Sequence, residues 1–154
     1  MNTMRTEEKI RKYLPTKNVI QLATARDNQP WACNVHYFSD EDLNLYWISE
    51  PGRRHSLEIQ DNKKVAAVIK IHENTEQENY VIGIAIEGTA QEMESFDETI
   101  AASYRDKLSK GESFVEDMKS GKKPYKFYKL TPKKFVLFDT QDFTGDPRKE
   151  WILA

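Results

Sequence analysis

The sequence predicts a mainly β fold, an antiparallel barrel with a few peripheral helices. Runs rich in aromatic and β-branched residues recur along the chain, at 17–25, 30–38, 43–49, 64–71, 80–94 and 125–139. Most are joined by short stretches of turn-forming residues. Helical periodicity is confined to the N-terminus, to 53–61 and to an excursion at 95–120. About six strands in this arrangement suit a barrel. A sandwich needs a similar strand set, so the pattern alone leaves both open.

Taken in order, 1–14 carries the first helix. Ile10, Tyr13 and Leu14 share a face there, and Pro15 ends it. The strand KNVIQLATA (17–25) leads through a hairpin turn at 26–29 into a second strand at 30–38. Residues 31–38 and 43–49 then read as a hairpin around Ser39-Asp40-Glu41-Asp42. Pro51-Gly52 stops the extended chain, and a helix over 53–61 follows. KVAAVIKI (64–71) is almost continuously apolar, as in a strand buried on both faces. His72–Asn79 is a loop. In the long strand 80–94, Gly83 and Gly88 mark a bulge or a close approach.

Ser95-Phe96-Asp97-Glu98 reads as a capping box before a helix carrying Ile100, Tyr104 and Leu108. A second short helix holds Phe114, Val115 and Met118. YKFYKLTPKKFVLFD (125–139) reads as two strand segments broken at Pro132. The tail 140–154 ends in the apolar Trp151-Ile152-Leu153, which is expected to dock. No linker or repeat appears, so 1–154 is expected to be one domain.

Composition narrows the function. A formal charge of −2 argues against nucleic acid as the main partner. The single cysteine, Cys33, excludes an intrachain disulfide and a CxxC metal clip. Three scattered histidines offer no ligand spacing, so no metal is expected. No long apolar run or signal peptide is read, and a cytoplasmic protein without membrane association is the expectation.

The residues with chemical potential gather between Trp31 and Asn62. Arg53, Arg54 and His55 stand at a strand-to-helix junction, where unpaired first-turn N–H groups and the positive end of the helix dipole already favour an anion. Cations disfavour a helix start, so two arginines there point to a phosphate. The plainer reading is a solvated helix face. Cys33 has the plainer reading of a small buried hydrophobe, and Trp31, Trp47 and Trp151 of core or interface aromatics.

WACNVHYF (31–38), LNLYWISEPGRRHSLEIQDNKKVAAVI (43–69) and VIGIAIEGTAQEM (81–93) together resemble the pyridoxamine 5'-phosphate oxidase-like family of FMN-binding split barrels. The likeness runs over about 5–140 and is specific across 31–70. It implies a split β-barrel, an FMN cofactor and a homodimer with FMN between subunits. In that family a Ser or Thr ends the strand before the helix, a Ser-Arg-Lys-like triplet four residues later holds the FMN phosphate, and a Leu-x-x-Asn follows. Ser49, Arg53-Arg54-His55 and Ile59-Gln60-Asp61-Asn62 fall at those spacings. Arg54 matches best, while Arg53 replaces a small hydroxyl residue and His55 a lysine. Ala32, Cys33, Asn34 and Val35 match the segment along the flavin edge.

FYKLTPKKFVLFDT (127–140) lacks the Arg-Leu-His-like run that grips the vitamin B6 substrate, so the resemblance is to an uncharacterised branch. It implies a flavin-dependent oxidoreductase acting on a small molecule, with NAD(P)H a candidate donor. Haem or deazaflavin binding and a non-catalytic accessory barrel are the alternatives. His36 or His55 would be the axial haem ligand.

Overall fold

The fold is taken from a computed structural model, which describes residues 5–153. The extreme ends of the expected N-terminal segment and C-terminal tail therefore lie outside the described residues. Helix α1 (Thr6–Tyr13) and a short 3-10 turn (Leu14–Thr16) lead into strands β1 (Val19–Arg26), β2 (Gln29–His36), β3 (Phe38–Ser39) and β4 (Leu45–Ser49). Helix α2 (Arg54–Asp61) follows, then β5 (Lys64–His72) and β6 (Ile82–Glu92). After helices α3 (Glu98–Lys107) and α4 (Phe114–Ser120) come β7 (Lys126–Asp139) and β8 (Arg148–Ile152). All join one antiparallel sheet in the order β2-β1-β5-β6-β7-β4-β3, with β8 also paired to β7. The expected mainly β split barrel is observed.

The hairpin expected from 31–38 and 43–49 forms only at its tip, Phe38-Ser39 against Leu45-Tyr46. The hairpin expected at 26–29 is the longer one: β2 pairs with β1 along its whole length, from Arg26 opposite Gln29 to Val19 opposite His36. The turn between them decides this. Asp27 and Asn28 both hold positive φ, 51° and 62°, the two-residue geometry whose twist matches a hairpin. At Tyr37 the chain leaves β1, its amide bonded to Asn18 O and its hydroxyl to Leu14 O, and the ring is fully buried. Only two residues remain to pair with β4. Asp40 builds the next turn, accepting from the Asp42 and Asn44 amides at 3.0 and 2.9 Å.

β5 is not buried on both faces. Val65, Ala67 and Ile69 point inward, whereas Lys64, Val68 and Lys70 are exposed. A run without polar interruption had masked this period-two alternation. β7 is one 14-residue strand rather than two segments. Its N-terminal part pairs with β4 as far as Leu130 and its C-terminal part with β8 from Lys134. Pro132 lies in the gap, where the missing N–H has no partner to deprive. On the other side, the ladder with β6 slips between Glu87 and Gly88. A Cβ on Gly88 would stand 2.3 Å from Thr131 O, so glycine is required there. At Gly83 a Cβ would meet only an ordinary contact.

The cap of α3 is Asp97, whose carboxylate accepts from the Ile100 amide at 3.1 Å, rather than Ser95. Gly121, at φ 75°, closes α4. The tail docks as β8. Trp151 stacks on Phe135 with centroids 5.6 Å apart, and Arg11 of α1 covers its ring.

The barrel core gathers Ile20, Leu22, Trp47, Ile69, Ile84 and Phe135. Burying each large apolar side chain contributes roughly 1.5–3 kcal/mol. Tyr104, Met118 and Phe127 form a second cluster that fastens α3 and α4 beside β4. Among the described residues no helix is long and apolar enough to cross a membrane.

Candidate functional site

The strand-to-helix junction after β4 opens into a cleft of about 370 Å³. Three places supply most of its walls. β2 supplies Asn34, Val35 and His36; the β4–α2 junction supplies Ser49, Glu50, Arg53 and His55; the helical excursion supplies Tyr104 and Lys110. Arg53 is extended and precedes the first turn of α2, which no side chain caps. That leaves amide N–H groups available to an anion.

Ser49 Oγ lies 2.8 Å from His55 Nε2, and Ser56 donates to Ser49 Oγ at 3.3 Å. Burial pushes the His55 pKa down, and the Arg53 charge adds to this against the opposing pull of Glu58. The imidazole is therefore held neutral more readily than a free histidine, with its ring fixed by the serine. Arg53 stands 3.6 Å from Glu50 with its side chain well exposed. A pair this open contributes little, so the guanidinium is free to turn.

Arg54 is placed differently. Its Nε donates to Glu58 Oε2 at 2.8 Å, and its guanidinium sits 4.0 Å above the Trp31 ring. Glu58 is 2% exposed and accepts a second hydrogen bond from Thr24 at 2.8 Å. The Arg54 bond is the main cause of its lowered pKa, with Thr24 assisting against burial. Adjacent positions on a helix differ by about 100° in direction, and that step sends Arg54 to the β1–β2 side.

Of the residues singled out in the sequence, Asn34, Val35, Ser49, Arg53 and His55 meet at the cleft. Ala32 shares its face of β2 with Asn34 but lies farther along the strand, across from Ala23 and outside the cleft. Cys33 packs partly against the core, and burial, with Glu58 nearby, raises its thiol pKa. Sequence reasoning missed Tyr104 and Lys110. The Gly111 break marks Lys110 as a loop residue, but only the packing of α3 brings it to β4. Among the described residues no group of three or more His, Cys, Asp and Glu side chains is placed to hold a metal.

A family model described as pyridoxamine 5'-phosphate oxidase matches residues 6–138. The chain belongs to that family. No curated protein matches the sequence. Among solved structures, the haem-binding protein from Mycobacterium smegmatis is similar at 15% identity and TM-score 0.76, over 99% of this chain and 60% of that one. General Stress Protein 26 from Bacillus anthracis str. Sterne is similar at 20% identity and TM-score 0.69, over 97% of this chain and 100% of that one. A FAD-binding protein from Mesorhizobium loti is similar at 19% identity and TM-score 0.62, over 87% and 94%. At such identities the likeness is one of fold. These proteins thus share this barrel with the chain.

Proposed function

We propose that the chain binds FMN at the cleft beside α2 and acts as a flavin-dependent oxidoreductase on a small molecule, as a homodimer. The observation that carries the reading is the meeting of Arg53, His55 and Ser49 with the uncapped first turn of α2. This is the chemistry a phosphate monoester needs, in a chain of a family described by an oxidase.

The residues fit the group. Arg53 can leave Glu50 at little cost and give charge-assisted hydrogen bonds, and Lys110 adds a second cation on the facing wall. Arg54 cannot join them without leaving the buried Glu58 unpaired. It acts as a support that fixes the direction of α2. Ser49 keeps the His55 ring oriented, and an anion nearby would raise the depressed pKa of that ring, so binding takes up a proton. Asn34 and Val35 border the space for a ring. When bound, FMN supplies the two-electron transfer, with NAD(P)H the candidate donor. The outer sheet face, where Val68, Ala85 and Val136 align across three strands, supports the dimer.

The test is a titration with FMN followed by flavin fluorescence, with the particle mass measured alongside. Saturation at one FMN per chain on a particle of twice the chain mass is expected. Failure to saturate sinks the flavin reading.

The likeness to a haem-binding protein favours a second reading. His36 is exposed on the cleft wall, whereas His55 and His72 are hydrogen-bonded. A Soret band on adding haem, lost in His36→Ala, would select it.

A further inference from the structure

Inside the cleft, Ser49 Oγ and His55 Nε2 stand 2.8 Å apart. We propose that this pair is a nucleophile and its general base, and that the chain hydrolyses small esters with an anionic acyl part by way of an acyl group on Ser49. The activity goes beyond the flavin reading and needs no flavin.

A serine is a weak nucleophile until a base within hydrogen-bond reach takes its proton. The contact has the direction this requires. Ser56 donates to Ser49 Oγ at 3.3 Å, so the Ser49 proton is directed at His55 Nε2, which accepts, and the ring hydrogen is carried on Nδ1. Burial and the Arg53 charge keep the ring in its neutral, basic form, while the pull of Glu58 favours the imidazolium that forms once the proton has moved. Regular elements hold both partners. Ser49 ends β4, opposite Lys126 on β7, and His55 lies in the first turn of α2. Both line the cleft.

In the first half of the reaction, Ser49 Oγ bonds to the acyl carbon as its proton passes to His55 Nε2. The ester C–O bond then breaks, and the leaving oxygen takes that proton and departs as an alcohol. Water attacks the acyl carbon next. Its proton goes to His55, the bond to Ser49 Oγ breaks, and Ser49 recovers a proton from the ring. An alcohol and a carboxylic acid are released, and nothing is oxidised or reduced. In each half negative charge gathers on the carbonyl oxygen. The uncapped amides of the first turn of α2 and the Arg53 guanidinium are the donors this wall has for it.

Charge and size set the substrate class. Arg53 and Lys110 line the cleft against one carboxylate, Glu50, which Arg53 itself meets at 3.6 Å. This balance favours an acyl part that ends in a carboxylate. Val35 and Ile48 supply apolar wall for a short chain. A cleft of about 370 Å³ suits a small ester.

The probe is mono(4-nitrophenyl) adipate, with 4-nitrophenyl hexanoate as its uncharged counterpart, given to the full chain free of flavin absorbance. Nitrophenolate release is followed optically, and the quenched protein is mapped by mass spectrometry. One adipoyl group on Ser49 is expected, with kcat/KM for the adipate roughly tenfold above that for the hexanoate. Ser49→Ala and His55→Gln are expected to bring turnover down to the buffer rate. Ser49→Cys is expected still to take the acyl group, which keeps the pair under test where the alanine variant fails to fold. Lys110→Ala is expected to narrow the preference for the charged ester. The proposal is overturned by turnover no faster than buffer, by acyl groups found only on lysines or His36, by full turnover in Ser49→Ala or His55→Gln, or by equal rates on the two esters. The FMN titration is read separately, so either reading can fail alone.

Discussion

Charge is handled in opposite ways at α1 and at the start of α2. On α1, Lys9 is buried and closed on all sides. It donates to Asp139 at 2.8 Å and also to Asp142, beneath the rings of Tyr13 and Phe143. Burial opposes its charge, but the two carboxylates outweigh that and raise its pKa. Beside α2, Arg53 faces an open cleft and is only loosely answered by Glu50. A saturated cation is architecture; an unsaturated one is available for binding. Arg54, one residue away, belongs with Lys9 in this respect.

Breaking the closed cluster should have the largest effect. Lys9→Ala leaves Asp139, which is fully buried, without its cation, and a loss of about 3–5 kcal/mol is expected in chemical denaturation. Lys9→Met together with Asp139→Leu should recover much of it. Next comes Arg54→Ala, which strands Glu58. About 2 kcal/mol of stability is expected to go, discounted because Arg54 is half exposed, and the melting temperature should fall by roughly 4–8 °C. FMN affinity should move less than twofold; a larger drop would place Arg54 among the phosphate ligands. Arg53→Ala sharpens the contrast from the other side. Its stability should change by less than about 0.5 kcal/mol, while FMN should bind roughly ten- to a hundredfold more weakly, about 1.5–3 kcal/mol.

The smallest effects are those of pH. Because the folded-state pKa of Glu58 is lowered, its stabilising contribution is fully present above the ordinary carboxylate value and is lost as pH falls through the folded one. Acid unfolding of Arg54→Ala should accordingly be shallower than that of the parent. His55 has the same sign: the neutral ring favours the fold above the ordinary histidine pKa, and that contribution fades as pH falls. Anion binding works the other way, so FMN affinity should rise from pH 8 to 6, and less steeply in His55→Ala.

Much of this was legible in the sequence because it rests on local chemistry. Period-two runs, Pro15, Pro51-Gly52 and the Gly121 break marked most elements within a few residues, and the clustering at 53–55 pointed to the correct junction. What was hidden depends on partners far apart in the chain. The turn residues at 26–29 marked the β1–β2 hairpin, but nothing near residue 31 shows that this pairing runs on to His36 and leaves only two residues for β4. Pro132 read as a break because its two edges could not be known to belong to different strands. The triplet could be found but not sorted. Glu58, four residues on, is what withdraws Arg54, and its burial comes from packing under β1.

The long strand β7 has a consequence for how the barrel comes apart. It is laddered along most of its length to β6, and in turn to β4 and to β8. No part of the sheet beyond it can detach without breaking one of those ladders. Amide protons of Phe135 and Leu137 should then exchange with solvent only when the whole molecule unfolds, whereas those of β2, held by β1 alone, should exchange through partial opening. The cleft beside α2 leans on that looser strand, so the protein can breathe at its binding wall while its central seam stays shut.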